Sequence, residues 1–291
     1  MIKMFKEKPT YLEALRWASS LLEDHKQETA IAYHVLLDMH HWSATDWFKA
    51  QRKIMDRQTW EKYQTIIQET VLHDYPFQYA LGYAFFYDRY FKVTEDTLIP
   101  RADTEILVQE LMNYLASLSA KKREALKVID IGTGTGILPI ILKDKFPELS
   151  ITATDISSAA LDVAKENASK YQVDIRFLAG DLFAPVLKEK FNLIISNPPY
   201  VSEHETSIMD NSVIKYEPYV AVFSKDEGYR LLKRLLRAIP NYISPKGRVF
   251  MEIGFRQTPL LLEYIEQLKI NCQIKIYQDD LKCDRVLELQ F

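Results

Sequence analysis

The chain has 291 residues, 47% of them apolar and 26% charged, with a formal net charge of −3. That composition describes a globular protein with a substantial core and length enough for two domains. It excludes the basic surplus of a protein that grips duplex DNA through its phosphates, and no run of about 18 apolar residues offers a membrane span.

The start, "MIKMFKEKPTYLEAL", has no apolar stretch long enough for a secretory signal. With only Cys272 and Cys283 present, no disulfide framework is implied, and a reducing cytoplasm is the natural location. The six histidines form no ligand pattern with these cysteines, so no metal is expected. A monomer is the default.

Residues 1 to 75 read as a small helical bundle. Thr10 with Glu13 forms a capping box ahead of Leu12, Leu15, Ala18, Ser19 and Leu22 at helical spacing. A second helix would carry Ile31, His34, Val35 and Met39 on one side, and Ser43 with Asp46 signals another start. Residues 76 to 100 are aromatic-rich with short alternating runs, a linker with a β-hairpin around Phe85–Val93. From Asp103 a helix runs to about Ser119.

From 101 to 291 the texture becomes α/β. Strands "VIDI", "ITATD", "IRFLAGD", "FNLIIS" and "RVFMEI" alternate with helices starting near Ile137, Ala159, Gly228 and Gln257. Such alternation implies a parallel sheet covered on both faces. The closing strands "QIKIYQ" and "RVLELQF" are too close for a crossover helix and should pair antiparallel, giving a seven-stranded mixed sheet.

Ligands in open α/β sheets bind beyond the carboxyl ends of the strands, so the loops there hold the candidate site. "DIGTGTGI" places Gly132, Thr133, Gly134, Thr135 and Gly136 between a strand and a helix. The loop lacks the Gly-Lys-Ser/Thr ending of a P-loop, and its spacing is G-x-G-x-G rather than the G-x-G-x-x-G of dinucleotide sites. S-adenosylmethionine carries no phosphate and needs neither signature. Asp155, closing the next strand, either accepts from ribose hydroxyls or caps the following helix. Asp181 and Leu182 follow the third strand, where an acid can accept from an adenine amino group or simply face solvent. Asp130 either faces a cofactor ammonium or organises the glycine loop.

The fourth strand ends in Ser196, Asn197, Pro198, Pro199 and Tyr200. Prolines lack an N–H and stiffen the backbone, so this corner offers carbonyl oxygens without competing donors. The Asn197 side chain and the Pro198 carbonyl can accept both hydrogens of a planar NH₂ group, with Tyr200 against its flat face. Amide and aromatic amino nitrogens are poor nucleophiles, and two acceptors orient them and stabilise the charge that develops on attack.

Taken together, "DIGTGTG", "ATDIS", "AGDLF" and "SNPPY" resemble the class I S-adenosylmethionine-dependent methyltransferases that methylate amino groups. The flanks "PFQYALGYAFFYDRYFKVTEDTLIPRADTEILV", "YEPYVAVFSKDEG" and "DDLKCDRVLELQF" resemble the peptide chain release factor glutamine N5-methyltransferases. This resemblance implies a Rossmann-like domain behind the helical one, and methylation of the glutamine of the Gly-Gly-Gln motif in class 1 peptide chain release factors. By motif match, Gly132 to Gly136, Asp155, Asp181, Leu182 and Asn197 would line the S-adenosylmethionine site. Asn197, Pro198, Pro199 and Tyr200 would hold the glutamine, and the N-terminal bundle would dock the release factor. Ala102, Ser224 and Cys283 depart from the family's usual residues. Arg101 would contact the substrate backbone or pair with Asp103 or Glu105, Glu217 would support the Asn-Pro-Pro-Tyr loop, and His204 is read as a solvated loop residue. The competing possibility is an amino-group methyltransferase of nucleic acid, acting on adenine N6 or guanine N2. It calls for a basic face or an added recognition domain, and neither is legible, so no direct nucleic-acid binding is expected.

Overall fold

The computed structural model describes residues 8–291. The chain divides into two compact units. Residues 8–85 with 211–216 form the first, and 86–210 with 217–291 form the second. The first seven residues, where the secretory-signal reading and the bundle both begin, lie outside the described residues.

The first unit is helical, with helices Tyr11–Asp24, Ala30–His40, Ala44–Ala50, Arg57–His73 and the short Phe77–Leu81. Both capping boxes form: Thr10 and Ser43 each accept from the backbone three residues on, and Glu13 and Asp46 reach back. The second helix turns differently from the sequence expectation. Ala32, Val35 and Leu36 are buried, and His34 faces solvent. The buried set keeps the i, i+3, i+4 spacing, and Tyr63, fully buried, donates to the Ala32 carbonyl at 2.9 Å. The short helix Asn211–Tyr216 belongs to this unit, tied by Lys215 to Asp74 and by the Tyr216 hydroxyl to the His73 carbonyl at 2.9 Å. No local pattern announces that return.

Strands β1 (Tyr83–Phe86) and β2 (Arg89–Lys92) form a two-stranded sheet, the hairpin read from the sequence. Seven strands then build the expected mixed sheet. These are β3 (Lys127–Ile131), β4 (Ser150–Asp155), β5 (Arg176–Ala179), β6 (Phe191–Ser196), β7 (Ile243–Glu252), β8 (Gln273–Gln278) and β9 (Asp284–Gln290). Their order is β5-β4-β3-β6-β7-β9-β8, parallel from β5 to β7, with β9 antiparallel to both β7 and β8.

Alternation of side chains across the pleat feeds two separate cores. Val128, Leu193, Ile195 and Phe250 enter one, and Ile129, Ile131, Ile194, Val249 and Met251 enter the other. Helices Thr104–Ala116 and Ile137–Lys145 pack on the first face through Leu107, Leu111, Ile140 and Ile141. Helices Arg230–Ala238 and Thr258–Gln267 cover the second through Leu232, Leu235, Leu261 and Ile265. Burial on both faces explains why these strands read as continuous apolar runs. The parallel alignment brings the ends of β3, β4 and β6 level: Ile131 pairs with Thr154 and with Ser196. The loops that follow therefore open on one side of the sheet.

Candidate active site

A cavity of about 330 Å³ lies in the second unit, at the carboxyl ends of β3, β4, β5 and β6. Its wall includes Gly132, Thr133, Gly134, Thr135, Asp155, Asp181, Leu182, Asn197, Pro198, Pro199 and Arg101. Gly136, Tyr200 and Asp130, also read from the sequence, stand outside that wall.

The glycine loop is held by backbone bonds. The N–H groups of Gly132 and Thr133 donate to the Thr154 carbonyl at 2.8 and 3.0 Å, anchoring the loop to β4. At Gly134 φ is +53°, and a Cβ there would meet nothing within 4 Å, so its backbone lies open. At Gly136 φ is +80°, and a Cβ would come within 3.1 Å of Ala164, so this glycine serves the packing of two helices. Asn167, fully buried, completes the support. It donates to the Thr135 carbonyl at 2.9 Å and exchanges bonds with the backbone of Lys92 in β2.

Asp155 spans the loop and the next helix. One carboxylate oxygen accepts from the Gly134 N–H at 2.8 Å and the other from the Ser157 N–H at 2.9 Å. Ser157 itself caps helix Ser158–Lys170. Asp155 thus organises two anion-facing backbone turns while lining the cavity, and burial raises its carboxyl above the ordinary value. Asp130 lies behind the loop at 1% exposure, with neither carboxylate oxygen hydrogen-bonded. Burial, with the Asp155 charge adding to it, pushes its carboxyl up to about 7. An orphaned buried acid of this kind suits a cationic ligand group.

Asp181 is exposed and has a partner the sequence did not suggest: Arg234 of helix Arg230–Ala238 donates to it at 2.5 Å. Leu182 sits in a left-handed conformation with φ +52°, and its carbonyl accepts from Thr154 Oγ1 at 3.2 Å.

At the end of β6, Ser196 donates to the Ile131 carbonyl at 2.7 Å and locks the strand end to β3. Asn197 Nδ2 donates to Thr104 Oγ1 at 3.0 Å, so its NH₂ end is engaged. Pro198 and Pro199 follow without N–H groups. Tyr200 turns away from the cavity: its hydroxyl donates to Glu252 Oε1 at 3.0 Å, and its carbonyl accepts from Gln257 Nε2 at 3.1 Å. Gly228 backs this corner closely, since a Cβ there would lie 2.1 Å from the Tyr200 carbonyl oxygen. Glu252 ends β7 at 1% exposure, and burial raises its carboxyl to about 7 against the hydroxyls of Thr104 and Tyr200.

Arg101 pairs with Glu217, not with Asp103 or Glu105. Asp103 instead pairs with Arg285 at 2.8 Å. The Glu217 side chain is 1% exposed and also accepts from the Ile99 N–H at 3.2 Å, so it supports the 99–101 segment of the cavity wall. Ser224 lines the cavity and its hydroxyl accepts from the Leu231 N–H at 3.2 Å. His204 is exposed in the short helix Glu203–Ile208 and stands outside the wall.

Thr104, Asn167, Arg234 and Glu252 escaped the sequence reading. Glu252 carried a usable signal, an acid closing an apolar strand as Asp130 and Asp155 do. Among the described residues no cluster of His, Cys, Asp and Glu could hold a metal ion, and no helix is long and apolar enough to cross a membrane.

Residues 103–216 match the Methyltransferase small domain family, and residues 13–82 match the PrmC N-terminal domain family. The release factor glutamine methyltransferase of Enterococcus faecalis is 39% identical over 276 residues, spanning 95% of this chain and 97% of that one. The Bacillus subtilis protein of the same name is 33% identical, with 96% of each chain covered. Among solved structures, the hMettl16 catalytic domain in complex with MAT2A 3′UTR hairpin 6 covers 82% of this chain and 85% of that one. Its TM-score is 0.53 at 13% identity, a likeness of fold alone. The chain belongs to the release factor glutamine methyltransferase family.

Proposed function

We propose that this protein transfers a methyl group from S-adenosylmethionine to the side-chain amide nitrogen, N5, of the glutamine in the Gly-Gly-Gln motif of class 1 peptide chain release factors. The observation that carries the substrate class is the extent of the likeness. It runs through the helical N-terminal unit and the methyltransferase unit together, at 39% identity over 95% of the chain. A nucleic-acid methyltransferase would share the second unit without needing the first.

The residues of the cavity fit the cofactor. The open backbone over Gly132 and Gly134 admits close approach, the acids of the wall suit hydroxyl and amino groups, and the Asp130 carboxyl buried behind the glycine loop favours an ammonium. Gly132 to Thr135, Asp155, Asp181, Leu182 and Asn197 would hold it. When bound, it supplies an electrophilic methyl carbon on a sulfonium. Asn197 Oδ1 and the Pro198 carbonyl accept the two amide hydrogens of the glutamine, aiming its nitrogen at that carbon and stabilising the charge that builds there. The methyl would pass to the amide nitrogen as its bond to sulfur broke, and the surplus amide proton would leave to water. Pro199 keeps the corner stiff, Tyr200 braces it from behind, and Arg101 with Glu217 shapes the opposite wall. The N-terminal helical unit contributes the docking surface for the release factor.

The test is incubation with methyl-labelled S-adenosylmethionine and, in parallel, a class 1 release factor, its Gln→Ala motif variant, and nucleic acid. Label is expected in the intact release factor alone. Label in nucleic acid but not in the release factor would overturn the proposal.

A further inference from the structure

The side-chain amide of Asn197 has two ends of similar shape and opposite hydrogen-bonding character, and only the carbonyl end suits a substrate NH₂. Which end faces the cavity is decided by the partner of the other. That partner is Thr104, the first residue of helix Thr104–Ala116 and 1% exposed, whose Oγ1 accepts from Asn197 Nδ2 at 3.0 Å. A hydroxyl carries one proton, so its behaviour towards Asn197 depends on where that proton is directed. The Tyr200 hydroxyl donates to Oε1 of the buried Glu252 at 3.0 Å, and Glu252 Oε2 has no hydrogen-bond partner. In the observed arrangement Thr104 turns its lone pairs to Asn197.

We propose that Thr104 is a positioning residue: it holds the Asn197 side chain with its NH₂ turned back and its carbonyl turned to the substrate amide. This rests on the function proposed above. Removing the hydroxyl leaves the partly buried Asn197 Nδ2 without its acceptor, which removes the preference for the observed orientation. The flipped amide would point a donor at a donor, and the glutamine nitrogen would lose one of its two guides. The same bond links two parts of the sequence that local reading separates, since Thr104 and Asn197 stand 93 residues apart.

The experiment compares Thr104→Val, Thr104→Ala and Thr104→Ser in the full chain, with a class 1 release factor as substrate. The readouts are kcat, KM for the release factor, and S-adenosylmethionine affinity by calorimetry. Thr104→Val and Thr104→Ala are expected to lower kcat about 10- to 100-fold, the loss typical of one misplaced catalytic hydrogen bond. Cofactor affinity and KM should stay within about threefold in both, because the rest of the cofactor wall and the release-factor docking surface are untouched. Thr104→Ser keeps the hydroxyl and should restore kcat to within about threefold of the parent. Unchanged kcat in Thr104→Val and Thr104→Ala would overturn the proposal. So would a Thr104→Ser variant no better than Thr104→Val, or cofactor affinity falling in step with kcat in both hydroxyl-free variants. Failure of the parent protein to methylate the release factor is visible before any variant is compared. That result overturns the substrate assignment, and this inference falls with it.

Discussion

Replacing Asp130 by asparagine tests whether the cavity is built around a buried acid waiting for a positive charge. The carboxyl is 1% exposed, and neither oxygen has a hydrogen-bond partner. Burial raises it from 3.8 to about 7. At about 1.4 kcal/mol for each pH unit, that rise amounts to about 4 kcal/mol of pH-dependent stability. Because the folded-state value lies above the unfolded one, this contribution is complete below about pH 4 and is lost as pH climbs through about 7. Asparagine has nearly the same shape and never ionises. It does bring an NH₂ group that the site does not obviously satisfy, so about half of the gain is a fair lower bound. Asp130→Asn should therefore be more stable than the parent by about 2–4 kcal/mol near pH 8, with the advantage shrinking as pH falls and gone by about pH 4. For a unit of about 200 residues this corresponds to a rise of roughly 5–10 °C in Tm near pH 8. The Glu252 carboxyl moves in the same direction, but it is common to both proteins and cancels in the difference. The assay is thermal unfolding of both proteins across that pH range without cofactor, then with S-adenosylmethionine added. The ligand should stabilise the parent far more than it stabilises Asp130→Asn, since it brings the charge that the Asp130 carboxylate lacks. Superimposable pH profiles, or equal stabilisation by the ligand, would refute the reasoning.

Asn197→Ala should reduce kcat by at least about 100-fold while S-adenosylmethionine affinity, read by calorimetry, falls less than about tenfold. Asp155→Ala removes the acceptor for the Gly134 and Ser157 N–H groups, so cofactor affinity should fall about 10- to 100-fold, with any kcat loss reversed at saturating cofactor. Gly228→Ala would drive a methyl group against the Tyr200 carbonyl at a backbone φ of +87°, so release-factor methylation should fall at least about tenfold with cofactor binding affected much less. Arg101→Ala leaves the buried Glu217 carboxylate with only the Ile99 N–H, and chemical denaturation should show a loss of about 1–3 kcal/mol.

Much of the catalytic unit was legible because its signals are local. The strands read as apolar runs because both faces of the sheet are covered, and their carboxyl ends are marked by Asp130, Asp155 and Asn197. Once the parallel order is granted, these ends must meet. The capping boxes at Thr10 and Ser43 were legible for the same reason, each lying within a single turn. What the sequence hid is long-range. Arg101 finds Glu217 116 residues away, and Asp181 finds Arg234 53 residues away. A nearby opposite charge was the natural local guess for Arg101, yet Asp103 is claimed by Arg285. His34 shows a subtler failure: an aromatic ring at helical spacing looked buried, but the smaller Ala32 supplies the close approach beside Tyr63. Segment 211–216 joins the first unit through Asp74 and His73, contacts that no periodicity within six residues can reveal.

The most direct test is a structure of this protein with S-adenosylhomocysteine and a class 1 release factor. The side-chain NH₂ of the motif glutamine is expected within about 3 Å of both Asn197 Oδ1 and the Pro198 carbonyl, with Asn197 Nδ2 still on Thr104. A glutamine whose NH₂ points away from both oxygens, in a complex that turns over when S-adenosylmethionine is supplied, would contradict the account.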